Sequence, residues 1–126
     1  MSSDNYLKLR LRSIKIALGG IWQVISTQQN ARIHLAATVV VLIASILVGL
    51  SRIEWMILLQ VIGFVWAAEI FNTAIEDLVD LFSPENDPTA KRIKDISAGA
   101  VLVSALVSLL VGLLLFGSRL WVWIAK

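Results

Sequence analysis

Residues 33–50 read IHLAATVVVLIASILVGL. Within this run only His34, near one end, can carry a charge. At 1.5 Å per residue, a helix of this length nearly spans a hydrocarbon core of about 30 Å. The valines and isoleucines do not argue for a strand, because backbone exposed to lipid must satisfy its own hydrogen bonds. The run is therefore a spanning helix, and the rest of the chain is read outward from it.

Two further apolar runs follow, at about 53–82 and 90–123. Only Ser51 and Arg52 separate the first run from the second, which implies a tight antiparallel hairpin. The second connection, SPENDPT at 83–89, holds two prolines and an Asn-Asp pair, a strong turn signal. Upstream, Leu7, Leu11, Ile14, Leu18, Ile21 and Ile25 recur at helical spacing, with Lys8, Arg12 and Lys15 between them. This pattern predicts a basic amphipathic helix lying on a membrane surface. The expected fold is all-α and integral to the membrane. It comprises a surface helix over about 5–28 and three transmembrane helices over about 33–50, 53–82 and 90–123, in a single domain of residues 1–126.

Composition agrees with this: 58% of the 126 residues are hydrophobic, and the mean hydropathy is +0.82. No short apolar core with a cleavage site opens the chain, so the N-terminus is expected to be retained. The absence of cysteine excludes disulfides and thiolate chemistry. Lys8, Arg10, Arg12, Lys15, Arg32, Lys91, Arg92 and Lys94 fall on one side of the expected topology, against Arg52, Arg119 and Lys126 on the other. That bias puts the N-terminus and the 83–89 loop in the cytoplasm. Trp55, Trp121 and Trp123 then gather at the outer interface, where indoles commonly anchor helix ends.

The second spanning run ends in AEIFNTAIEDLVD, residues 68–80, which carries four carboxylates. At 100° per residue, Glu69, Asn72, Thr73, Glu76 and Asp80 share one stripe, and Asp77 lies to its side. Counted from Ile53, Glu69 lies about 24 Å deep and Glu76 about 35 Å, so the stripe crosses the cytoplasmic interface. An acid at membrane depth costs several kcal/mol unless it is neutralised, paired or hydrated, which makes Glu69 a functional candidate. A purely structural role, in which Glu69 hydrogen-bonds a neighbouring helix, explains one acid but not the stripe. Lys91, Arg92, Lys94 and Asp95 open the third run just before the small residues SAGA at 97–100, which permit close helix approach towards Glu76. Carboxylates that can hold Mg²⁺ beside lysines that can hold phosphates are what phosphoryl transfer requires. The lysines alone could equally be positive-inside anchors. Neither a P-loop nor a protein-kinase glycine-rich loop is present.

The motifs EIFNTAIEDLVD (69–80) and AKRIKDISAGAVL (90–102), with RSIKIALGG (12–20) and NARIH (30–34), resemble the small prokaryotic diacylglycerol kinase family, which includes undecaprenol kinases. The wording NTAIE and the spacing PxAKxxKD are closer to the undecaprenol kinase branch. The resemblance implies a homotrimer with composite active sites in the inner leaflet of a bacterial cell membrane, acting on ATP and a lipid alcohol with Mg²⁺. It makes Glu69 the general base and Asn72 a residue that positions the reacting phosphate. It also makes Glu76 a metal ligand, Lys94 a phosphate-binding group, Asp95 a nucleotide contact, and Arg12 a basic contact to ATP or the lipid headgroup. Arg32 and His34, in the matching RIH segment, become lipid-side candidates, and Arg10 a weaker basic contact. The loop acids Glu85 and Asp87 are further nucleotide candidates, although Asp87 also reads as an ordinary turn residue.

One departure bears on the metal. Gln28 stands where the family commonly has a metal-binding glutamate, and its carbonyl can ligate without bringing charge. The expected function is an ATP-dependent lipid kinase making undecaprenyl phosphate or phosphatidate. The rivals are an oligomeric proton or cation pathway through Glu69, Glu76 and Asp80, and a purely structural or regulatory subunit. The pathway is weakened by the outer half of the second run, which offers only Gln60 and tryptophans to continue it.

Overall fold

The computed structural model describes residues 3–83 and 87–124. Four helices follow in order: α1 Ser3–Thr27, α2 Gln29–Val48, α3 Arg52–Phe82 and α4 Pro88–Ile124. Three of them, α2, α3 and the Pro88–Gly117 part of α4, are long and apolar enough to cross a membrane. The NARIH segment is already helical, so α2 begins four residues before the apolar run does.

Local chemistry explains the turns. Gly49 closes α2 in the left-handed conformation, with φ of 70°, and its N–H reaches back to the carbonyls of Ser45 and Ile46. Two residues later Ser51 caps α3 reciprocally: its Oγ accepts from the Glu54 N–H, and the Glu54 carboxylate accepts from the Ser51 N–H at 2.8 Å. At the other end of α3, Asp87 caps α4. Its carboxylate accepts from the Thr89 N–H at 2.7 Å and from the Ser83 hydroxyl at 3.1 Å, while Pro88 occupies the first helical position, which needs no N–H. The Thr89 N–H, with help from Ser83, holds the Asp87 carboxyl below the ordinary carboxylate value. The turn-forming reading of Asp87 is thus the one its contacts express.

α3 and α4 form the principal antiparallel pair, and α2 lies along α3. The pair is pinned at both ends, by Glu54 with Arg119 at one and Asp80 with Lys94 at the other. Leu50, Leu58 and Leu115 make a small apolar core near the Glu54 end, with Trp55, Ile62 and Phe116 against it. The middle of the bundle is more polar: Glu69, Asn72, Thr73, Ser97 and Ser104 are all buried. Large aliphatics such as Leu47 and Leu114 point outward, as expected for helices whose solvent is hydrocarbon. Leu7, Leu11, Ile14 and Leu18 of α1 are likewise exposed, and among the described residues of α1 only Val24 is buried, with Ile25 half-buried beside it. The side chains of Trp121 and Trp123, together with Lys126, lie outside the described residues.

Candidate active site

The Glu69, Asn72 and Thr73 part of the stripe on α3 faces inward. Glu69 is 1% exposed, and Asn72 and Thr73 are buried beside it. Glu76 is half-buried, and Asp77 and Asp80 are exposed. Glu69 Oε2 is buried without a hydrogen-bond partner among the described residues. His34 on α2 faces it, with Nε2 3.8 Å away, beyond hydrogen-bond reach. One turn along each helix, the Trp66 indole N–H donates to Thr38 Oγ1 at 3.2 Å, which fixes α2 against α3 so that His34 faces Glu69.

Towards the loop, the Asn72 amide donates to Glu76 Oε1 at 3.0 Å. Its carbonyl lies 2.6 Å from the Ser97 hydroxyl on α4, which is also 2.9 Å from the Lys94 carbonyl. Lys94 Nζ pairs with Asp80, not with Glu76. The chain therefore sets Glu69 opposite His34, and joins Asn72 to Glu76, Ser97 and the turn that bears Lys94. Arg12, Arg32 and Asp95 are exposed, and no ion pair or side-chain hydrogen bond ties them to the cluster among the described residues. Gln28 is half-buried at the cap position of α2, and its side chain makes no capping hydrogen bond. Glu85 lies outside the described residues.

Among the described residues no three His, Cys, Asp or Glu side chains converge on a metal position. Glu76, with one oxygen held by Asn72 and the other free of hydrogen bonds from the described residues, nevertheless suits Mg²⁺. That ion keeps several waters and is commonly bound by one or two carboxylates plus substrate phosphates. When bound, it would offset phosphate charge beside Glu76.

Sequence reasoning did not single out Ser97 or the pairing of Asp80 with Lys94. The signal for Ser97 was available, since it stands three residues after Lys94 and so shares its helix face. The partner of Lys94 was not readable from phase alone, because it depends on how far α4 slides along α3.

Fold and site together define a three-span membrane protein with a carboxylate-rich centre facing one end of its bundle. The chain belongs to the prokaryotic diacylglycerol kinase family, which it matches over residues 15–116. It is 45% identical over 116 residues to the undecaprenol kinase of Bacillus subtilis, covering 92% of this chain and 94% of that protein. It is also 37% identical over 103 residues to a diacylglycerol kinase of Synechocystis, covering 81% of this chain and 59% of that protein. A Sinorhizobium diacylglycerol kinase shares 34% identity over 86 residues, covering 68% of this chain and 62% of that protein. The resemblance carried by the two long motifs is the family membership found here.

Proposed function

We propose that the protein transfers the γ-phosphoryl group of ATP to the hydroxyl of undecaprenol, with diacylglycerol the second candidate acceptor. The observation that carries this reading is the Glu69 carboxylate, buried at membrane depth with one oxygen unpaired among the described residues. A base awaiting a lipid hydroxyl accounts for such an atom, which would otherwise carry an uncompensated desolvation cost. Glu69 takes the hydroxyl proton, the lipid oxygen forms a bond to the γ-phosphorus, and the bond to the ADP oxygen breaks. Asn72 positions the phosphate, Lys94 offsets its charge, and Asp95, Arg12 and the loop acids Glu85 and Asp87 are the nucleotide-side candidates. Gln28 is the neutral candidate for a further metal contact.

An apolar groove of about 420 Å³ supports a lipid acceptor. It starts at His34 and runs between α2, α3 and α4 past Thr38, Val65, Ser108 and Gly112 to Phe116. A hydrocarbon chain lying there would bring its head towards Glu69, with His34 and Arg32 on the lipid side. The exposed stripe of α1 suits a helix resting on the cytoplasmic leaflet of a cell membrane, and a homotrimer would bring neighbouring chains to each site. The cation-pathway reading gains nothing from the family. Within the chain, Leu58 and Val65 are buried along the outer half of α3, while Gln60 is exposed.

Purified protein in mixed micelles with labelled ATP and each lipid tests the assignment. Label should reach undecaprenol in preference to diacylglycerol, and label in neither lipid refutes it. Glu69→Gln should abolish turnover while nucleotide binding survives.

A further inference from the structure

We propose that Ser97 is a positioning residue, whose hydroxyl on α4 fixes the side-chain amide of Asn72 on α3 and, through it, the carboxylate of Glu76. This rests on the kinase reading and adds to it a residue outside the polar stripe of α3.

The geometry is a chain of three hydrogen-bonding groups. Ser97 Oγ lies 2.6 Å from Asn72 Oδ1, and Asn72 Nδ2 lies 3.0 Å from Glu76 Oε1. Asn72 and Ser97 are each 7% exposed, so water is a poor substitute for either partner. An amide has a donor end and an acceptor end, and an ionised carboxylate accepts only. Glu76 therefore selects the NH₂ end of Asn72, which turns the amide carbonyl towards α4. There the Ser97 hydroxyl is the donor that meets it.

Without that hydroxyl the carbonyl would be buried and unpaired, and rotation of the amide in search of a donor would withdraw the NH₂ group from Glu76. The same hydroxyl lies 2.9 Å from the backbone carbonyl of Lys94, one turn earlier on α4. One side chain thus couples the turn that bears Lys94 and Asp95 to the two α3 residues that would handle the transferred phosphate. Its single hydrogen serves acceptors on both helices, so a shift of either helix is felt at the amide.

The test uses the full chain, labelled with ¹⁵N-asparagine in micelles without nucleotide or lipid, and reads water exchange of the Asn72 side-chain amide. Ser97→Ala should retain its helical circular dichroism and oligomer size yet exchange that amide at least about tenfold faster, while Ser97→Thr, which keeps the hydroxyl, should exchange like the parent. If Ser97→Ala does not fold, Ser97→Cys, similar in volume but only a weak donor, should show the faster exchange instead. In the lipid kinase assay Ser97→Ala should lower kcat by about tenfold, leave the lipid KM unchanged and raise the Mg²⁺ concentration for half-maximal rate several-fold. Unchanged Asn72 exchange in folded Ser97→Ala or Ser97→Cys overturns the assignment, as does fast exchange in Ser97→Thr. Because exchange is read without substrates, that failure is separate from failure of the kinase reading, which would appear as parent protein labelling neither lipid.

Discussion

His34 Nε2 and Glu69 Oε2 face each other 3.8 Å apart across the contact between α2 and α3. The gap is too long for a direct hydrogen bond, yet a hydroxyl oxygen could stand within reach of both atoms at once. That suits an acceptor alcohol held by the imidazole and deprotonated by the carboxylate. His34→Ala should therefore lower kcat/KM for the lipid by about tenfold to a hundredfold and leave the nucleotide KM unchanged. Steady-state kinetics with each substrate varied in turn checks this. An equal loss for nucleotide would place His34 elsewhere in the reaction.

Lys94 is held by Asp80, whose side chain is largely exposed. An exposed ion pair contributes little to stability, so the pair matters chiefly for where the ammonium group waits. Lys94→Ala should raise the nucleotide KM by about tenfold, and Asp80→Ala should change it by only a few-fold, with both variants remaining folded. Nucleotide titration of the two variants distinguishes phosphate binding from a mere helix clip, for which both substitutions would act alike.

The indole of Trp66 donates to Thr38 at 3.2 Å, one turn from the His34 and Glu69 contact. Thr38→Val keeps the side-chain shape and removes the acceptor. In a membrane bundle such a bond contributes about 1 kcal/mol, so a loss of that order is expected in controlled unfolding from micelles. Lipid turnover should fall in the same variant, because α2 then holds His34 less firmly against α3.

Much of this was legible beforehand, for identifiable reasons. Hydrocarbon demands long self-satisfied helices, and residues 33–48 of the first apolar run are helical, whereas Gly49 and Leu50 fall in the turn that follows. Helical phase placed Glu69, Asn72 and Thr73 on one face, and all three are buried together. Phase says nothing, however, about axial slide between helices. Hence the lysine expected near Glu76 pairs with Asp80 one turn further on, and Ser97, read only as a small residue allowing close approach, bonds to Asn72. The approach of His34 to Glu69 was likewise hidden, because a lone histidine near a helix end reveals its neighbour only once α2 is docked on α3.

Asp87 gives the loop a pH dependence. Its carboxyl is held below the ordinary value of 3.8, first by the Thr89 N–H and then by the Ser83 hydroxyl. A lowered folded-state value means that the ionised cap stabilises the protein at pH above 3.8, and that this contribution is lost as pH falls through the lowered value. The stability advantage of the parent over Asp87→Ala should be constant near neutrality and shrink below pH about 4. Asp87→Asn, which caps through a neutral carbonyl, should not show that acid-dependent loss. Thermal midpoints of the three proteins between pH 7 and pH 3 provide the comparison.

At the opposite end of the bundle, Arg119 donates to both oxygens of Glu54, at 2.8 and 2.9 Å, and also to the Leu115 carbonyl. The Glu54 carboxylate meanwhile completes the cap of α3 by accepting from the Ser51 N–H. One carboxylate thus fastens the hairpin turn between α2 and α3 to the far end of α4. The two parallel hydrogen bonds set this pair apart from an ordinary surface contact. Glu54→Gln and Arg119→Leu should each lower the thermal midpoint, with Glu54→Gln also loosening the cap. If the pair acts as a unit, the double variant should lose little more than the worse single one. Strict additivity in that cycle would show the two residues acting independently. Because the pair stands at the end remote from Glu69 and Glu76, kcat of the folded variants should remain within about twofold of the parent.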